Sequence, residues 1–253
     1  MIVRLRLLTG QDPEIDFINA EHDFTPKTFA GLRMTDTHPR RPQTRGEEMA
    51  NALSHGGGLV ASLAVMPMLI IFAARRHDTL AVVAAAIFGA SVALLYTTST
   101  FYHAMAHGTT AKRVWRVLDH SAIYVLIAGT YTPFALGAMR GPSGYALLGL
   151  IWTCAIVGVV LKSGGGFGHP RVSTVMYVVM GWTAVLFAKP MWDAVGPTGV
   201  MWILAGGVAY TGGVVFYARD RLRYRHFAWH LCVIAGSACH YWAVAAYALG
   251  PAK

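Results

Sequence analysis

The chain has little charge. Only 13% of its 253 residues are Asp, Glu, Lys or Arg, and acids are the scarcer kind, 12 against 21 basic residues. What charge there is falls in short intervals between long apolar runs, so the basic balance is not the patch or stripe of a nucleic-acid binder. Cysteine is also sparse. Cys154, Cys232 and Cys239 all lie inside apolar runs and no CxxC occurs, which excludes both a disulfide framework and a thiolate metal site. Residues 1 to 46 lack the short apolar core of a cleavable signal peptide and show no helical stripe.

Hydrophobic residues, by contrast, make up 55% of the chain. A membrane-crossing helix needs about 20 mostly apolar residues. Seven stretches qualify: 52 to 73, 79 to 102, 118 to 138, 144 to 161, 172 to 190, 198 to 217 and 227 to 248. Their connectors are too short to hold a second domain. The expected fold is therefore an all-α integral membrane protein, a seven-transmembrane-helix bundle over residues 47 to 253, preceded by a polar, disordered extension over residues 1 to 46. The run from Thr37 to Glu48 leads naturally into the first helix, so Met34 is an alternative start and residues 1 to 33 need not be native.

Lys and Arg orient the bundle. With the amino terminus cytoplasmic and the carboxyl terminus outside, sixteen of them fall on the cytoplasmic side and five outside. Leaving out the extension reduces the contrast without reversing it. This orientation sets which polar residues of different helices share a depth. His226 and His230, an HxxxH pair, open the last helix on the cytoplasmic side, and residues four apart share a helix face. Ser99 and His103 form a second i, i+4 pair at the cytoplasmic end of helix two. Asp119 lies just inside helix three at the same end, where an unpartnered carboxylate is costly. Helix one adds Glu47, Glu48, Asn51 and His55 at comparable depth.

Three neutral imidazoles with a fourth position open suit zinc. His103, His226 and His230 are the expected ligands of a Zn2+ ion. Asp119 is the candidate to orient a bound water or take its proton, and Ser99 the candidate hydrogen-bond partner. Such a site suits hydrolysis of an amide or ester, and its position at a membrane edge points to a membrane lipid as substrate. The pair His226 and His230 has a plainer reading as interfacial histidines, one capping and one bonding a carbonyl. Convergence with His103 and Asp119 favours the metal. Ser99 is as consistent with a bond to the carbonyl one turn earlier.

The other histidines are expected outside the ligand set. His107 lies in the solvent-facing exit from helix two, and His120 points about 100 degrees away from Asp119 around its helix. His240 stands ten residues beyond His230, about 15 Å along the axis, and suits a hydrogen bond across helices. His55 reads as a polar neighbour of the site. Gly and Thr residues around Thr130 to Pro133 suit a loosened helix three beside a cavity.

The ordered segments GluGluMetAlaAsnAlaLeuSerHisGly from Glu47, SerThrPheTyrHis from Ser99, ValLeuAspHisSerAlaIleTyr from Val117, GlyThrTyrThrProPhe from Gly129, HisPheAlaTrpHis from His226 and GlySerAlaCysHisTyr from Gly236 carry a resemblance. Together they resemble the haemolysin III branch of the progestin and adipoQ receptor family, which includes the adiponectin receptors. The resemblance implies a multi-pass cell-membrane protein, in the bacterial inner membrane, with zinc near the cytoplasmic face on His103, His226 and His230, and with Ser99 and Asp119 as the family's serine and aspartate. It also implies either ceramidase-like lipid amide hydrolysis or a role in lysis and membrane homeostasis. Three functions follow: a zinc-dependent hydrolase of a membrane lipid, a pore-forming cytolysin, or a receptor or sensor with structural zinc. Against the second, the helices carry no long polar stripe to line a channel.

Overall fold

The structure, a computed structural model, describes residues 41–164, 170–219 and 222–249. The expected extension falls mostly outside the described residues. All regular structure among the described residues is helical: α1 (Arg45–Ala74), α2 (Thr79–Ala104), α3 (Thr110–Pro133), α4 (Pro142–Ser163), α5 (Pro170–Gly181), α6 (Ala188–Ala218) and α7 (Arg225–Ala243). Six helical segments among them are long and apolar enough to cross a membrane.

The helix starts are written locally. Thr44 caps α1 by accepting from the Glu47 amide at 3.3 Å, while the Glu47 carboxylate accepts from the Thr44 amide at 2.8 Å. Asp78 and Thr109 cap α2 and α3 in the same way, accepting from Ala81 and Lys112 amides at 3.1 Å each. Pro142 opens α4, where its missing N–H costs nothing. At the start of α2, Arg140 also reaches Asp78, placing one nitrogen 2.6 and 2.8 Å from its two oxygens. Burial opposes ionisation of Asp78, but the Ala81 amide and the Arg140 guanidinium outweigh it and hold the carboxyl below its usual range.

The segment Val172–Ala218 is 47 residues long. As one straight rod it would reach about 70 Å, over twice the hydrocarbon thickness. It folds back instead: Trp182 Nε1 donates to Thr211 Oγ1 at 3.0 Å, although 29 positions separate them. The reversal sits at Gly196, whose φ of 69° is open to glycine at little cost, followed by Pro197, which starts the returning arm. A second break lies at the end of α5. Tyr131 of α3 donates its hydroxyl proton to Gly181 O at 2.6 Å and accepts from the Ala184 amide at 2.9 Å. A side chain inserted into the ladder this way tightens Thr183–Phe187 into a 3₁₀ turn. Past Pro133, α3 continues as a π-helical turn over Phe134–Ala138, and α7 likewise over Val244–Ala248.

Neighbouring helices pack in chain order from α1 to α4 and again from α6 to α7, and α1 closes onto α7. Small residues allow the close approaches. A Cβ on Gly129 would lie 2.2 Å from Ser91 Oγ, one on Gly158 2.4 Å from Tyr124 Cε1, and one on Gly206 2.6 Å from the His240 ring. The α1–α7 contact is the one that matters for function. It brings the first turns of α1 and α7 to the end of the bundle where α2 finishes.

Candidate metal centre

Three histidines converge at that end. His103 comes from the last turn of α2, and His226 and His230 from the first two turns of α7. Their candidate ligand nitrogens all lie within 4.8 Å of one another. His103 Nε2 faces His226 Nε2 at 3.1 Å, and the three ring centroids stand 4.6 to 5.0 Å apart. His103 and His230 are buried; His226 is partly so.

The donor set fits a metal by tautomer as well as by position. His103 Nδ1 donates to Glu48 Oε2 at 2.7 Å. His230 Nδ1 lies 3.2 Å from Asn51 O, a carbonyl that can only accept, and 2.9 Å from Ser54 Oγ. Both rings thereby carry their proton on Nδ1 and present a bare Nε2, the form an imidazole takes as a ligand. A spacing of 3.1 Å also suits two nitrogens each about 2.0–2.1 Å from one shared zinc ion.

The partners of these rings lie on α1 and were not assigned roles by spacing alone. Glu48, Asn51 and His55 stand at i, i+3 and i+7, a polar stripe on an otherwise apolar helix, and this is the signal that marks them. Glu48 is itself held: Lys112 Nζ donates to its Oε1 at 3.0 Å and to the Tyr102 and Met105 carbonyls at 3.2 Å each. His107, expected to face solvent, is half exposed yet puts Nε2 3.2 Å from the same Oε1. Glu47 serves the start of α7. It accepts from the Tyr224 amide at 2.9 Å and pairs with Arg41, fixing the left-handed turn at Tyr224 (φ 54°) from which α7 and His226 emerge.

Asp119 and Ser99 are both buried, and Ser99 Oγ neighbours the Asp119 carboxyl without closing a full hydrogen bond. Both line a cavity of about 260 Å³ that His226 and His230 also line. From this polar end the cavity runs between α3, α5, α6 and α7 along an apolar wall that includes Ile127, Trp182, Val185 and Val214. Thr130 lies on that wall, bonding back to the Leu126 carbonyl at 2.8 Å near the loosened end of α3.

The remaining histidines divide. His55 lies outside the triad but lines the cavity and stacks on His230, with centroids 3.6 Å apart and planes 4° from parallel. His240 bonds across helices to Ile203 O at 3.1 Å. His120 also lies outside the triad: its Nδ1 is bonded back to Arg116 O at 2.8 Å, and its ring lines the cavity with Nδ1 3.7 Å from Asp119 Oδ2. A rotation of 100 degrees removes a residue from one helix face, and the cavity is broad enough to take in both faces. The three cysteines are free thiols.

Fold and site define an all-helical integral membrane protein with a buried histidine triad that could hold a metal ion. The chain belongs to the Haemolysin-III related family, whose model matches residues 43–241. It is 41% identical to Hemolysin-3 of Bacillus cereus over 220 residues, covering 87% of this chain and 100% of that one. It is 40% identical to the Hemolysin-3 homolog of Bacillus subtilis (strain 168) over 201 residues, 79% of this chain and 94% of the relative. A more distant similarity, 26% over 206 residues, links it to the human Monocyte to macrophage differentiation factor, covering 79% of this chain and 84% of that protein.

Proposed function

We propose that the protein is a zinc-dependent hydrolase of a membrane lipid amide or ester. It consists of one haemolysin III-like bundle over residues 47 to 253 in the cell membrane of a bacterium. The bundle crosses the membrane seven times, the fold-back at Gly196 making two crossings of Val172–Ala218. The excess of Lys and Arg beside α3 and α7 supports a cytoplasmic amino terminus and a histidine triad on the same side. The observation that carries the reading is that Ser99 and Asp119 line the same apolar cavity as His226 and His230.

His103, His226 and His230 would hold the zinc, which when bound supplies Lewis acidity and makes water a usable nucleophile near neutral pH. The residues do the rest. The apolar wall takes an acyl chain and excludes water, so the amide or ester linkage stops at the polar end. Asp119 Oδ accepts a proton from the attacking water and returns it to the departing nitrogen or oxygen as the acyl bond breaks. The products are a fatty acid and the matching amine or alcohol. Ser99 Oγ, beside the Asp119 carboxyl, would hold it toward the triad.

Metal analysis of the purified protein and of His226→Ala, with mass spectrometry of a lipid panel incubated with wild type and Asp119→Asn, tests binding and chemistry separately. About one zinc per wild-type chain, much less in His226→Ala, and lipid turnover lost in a zinc-replete Asp119→Asn are expected. Full turnover by Asp119→Asn removes the catalytic role of Asp119. Zinc without any lipid change supports a structural or sensory ion.

A further inference from the structure

The proposed hydrolysis leaves His240 without a task. It stands ten residues beyond His230 on a helix unbroken from Arg225 to Ala243, and so about 15 Å farther along the axis. Both residues line the cavity, His230 at the polar end and His240 against the apolar α6 wall of Val200, Ile203 and Leu204. An imidazole so deep in a membrane-spanning bundle is costly unless both its nitrogens are used.

Only one of them is. Nε2 lies 3.1 Å from Ile203 O, and a carbonyl can only accept, so the ring carries its proton on Nε2 and Nδ1 is a bare acceptor. The ring is seated hard against α6, where a Cβ on Gly206 would fall 2.6 Å from Nε2 and 2.9 Å from Cε1. Nδ1 has no hydrogen-bond partner among the described residues, although the residue is only 7% exposed. Tyr210 stands beside it with ring centroids 5.5 Å apart, but the Tyr210 hydroxyl is bonded to Ser237 Oγ at 2.9 Å. A buried water takes about two to four polar partners, and the α6 side chains here are apolar. A hydroxyl carried in on an apolar chain suits the place better, because the rest of the chain fits the wall.

We infer that His240 Nδ1 accepts a hydrogen bond from a hydroxyl carried partway along the acyl chain in the cavity, so that the preferred substrate is a lipid amide or ester of a hydroxylated fatty acid. This rests on the hydrolase reading for which end of the chain faces the triad; the bare nitrogen in the cavity stands without it. The helix sets the position of the hydroxyl. Carbon–carbon bonds of about 1.5 Å laid out in a zigzag need roughly a dozen carbons to cover the ~15 Å between His230 and His240. The hydroxyl therefore belongs near the twelfth carbon, counted from the carbonyl at the triad. A hydroxyl beside the linkage falls short of His240, and an unsubstituted chain leaves Nδ1 unpaired.

Three octadecanoyl amides of one amine test this: the unsubstituted chain, the chain with a hydroxyl on its twelfth carbon and the chain with a hydroxyl on its third. Binding to the full-length protein in nanodiscs is read by native mass spectrometry, on zinc-loaded Asp119→Asn and on metal-depleted wild type, so that affinity is separated from turnover. The twelfth-carbon alcohol should bind about tenfold more tightly than the unsubstituted chain, and the third-carbon isomer should gain nothing. His240→Phe fills the place of the ring without a nitrogen and should erase the difference. His240→Asn returns an acceptor near the position of Nδ1 and should restore part of it. Equal affinity for all three amides overturns the inference and leaves Nδ1 to a trapped water. A preference that survives His240→Phe, or one matched by the third-carbon isomer, overturns it as well and assigns the effect to chain polarity at large. The isomer comparison needs no variant, so it decides the point even where a substitution at position 240 unfolds the bundle. Preference without turnover of any amide by zinc-loaded wild type sinks the hydrolase reading alone; turnover of all three without preference sinks this inference alone.

Discussion

His103 Nδ1 and Glu48 Oε2 lie 2.7 Å apart, a buried bond between α2 and α1 that spans 55 positions of sequence. It settles which nitrogen of His103 is bare, and it makes a residue outside the ligand set a determinant of metal affinity. Glu48→Ala should weaken zinc binding about 10- to 100-fold, the usual cost of removing such a partner from a ligating histidine. Glu48→Gln keeps an acceptor oxygen without the charge and should lose less. Competition with a chelator of known zinc affinity measures both, and a Glu48→Ala protein that binds zinc as tightly as wild type refutes the role.

The stacked pair His55 and His230 gives a second prediction. With planes 4° from parallel at 3.6 Å, the His55 ring limits how far the His230 ring can turn. Such contacts are worth about 0.5–1.5 kcal/mol. His55→Phe preserves the flat face and should hold zinc within about threefold of wild type. His55→Ala frees the ring and should cost up to about tenfold. If both variants lose zinc equally, the nitrogens of His55 matter and stacking does not.

These two contacts mark where the sequence stops being readable. The helices are legible because hydropathy over about 20 residues integrates over many side chains, and the fold-back is legible in the Gly196–Pro197 pair. His103, His226 and His230 converge, with Asp119 on the adjoining cavity, because helix ends at one end of the bundle bring distant positions to one level. The division of labour between Glu47 and Glu48 is not legible. Adjacent residues diverge by about 100 degrees around a helix, so one caps α1 and anchors Tyr224 while the other reaches His103, and only the packing of α1 against α2 and α7 decides which. The 3₁₀ turn after α5 is hidden for a like reason, since its cause is the hydroxyl of Tyr131 on another helix.

Asp78 predicts a pH dependence at the opposite end of the bundle from the triad. Burial raises its carboxyl, but the Ala81 amide and Arg140 together outweigh burial and hold it below the usual range. A group whose folded value is lowered stabilises above its unfolded value and loses that stabilisation as pH falls through its folded value. Asp78→Asn keeps a capping side chain but removes the charge. Its melting temperature should therefore lie below that of wild type at neutral pH and merge with it under acid. Asp78→Ala should fall further, by about 1 kcal/mol for the lost cap. Curves that stay parallel down to strong acid would contradict the assignment.

Two glycines on α4 separate packing from propensity. A Cβ on Gly158 would come 2.4 Å from Cε1 of Tyr124, a ring with no exposed surface, whereas a Cβ on Gly149 meets nothing within 4 Å. Ala at position 158 must push the Tyr124 ring or the whole helix, and overpacking of this kind costs about 1–3 kcal/mol. Ala at position 149 gains helix propensity and should be neutral or stabilising by up to about 1 kcal/mol. Unfolding of Gly158→Ala and Gly149→Ala in mixed micelles reads the difference directly. Equal stability for the two variants would mean that α4 is not seated on Tyr124 as described.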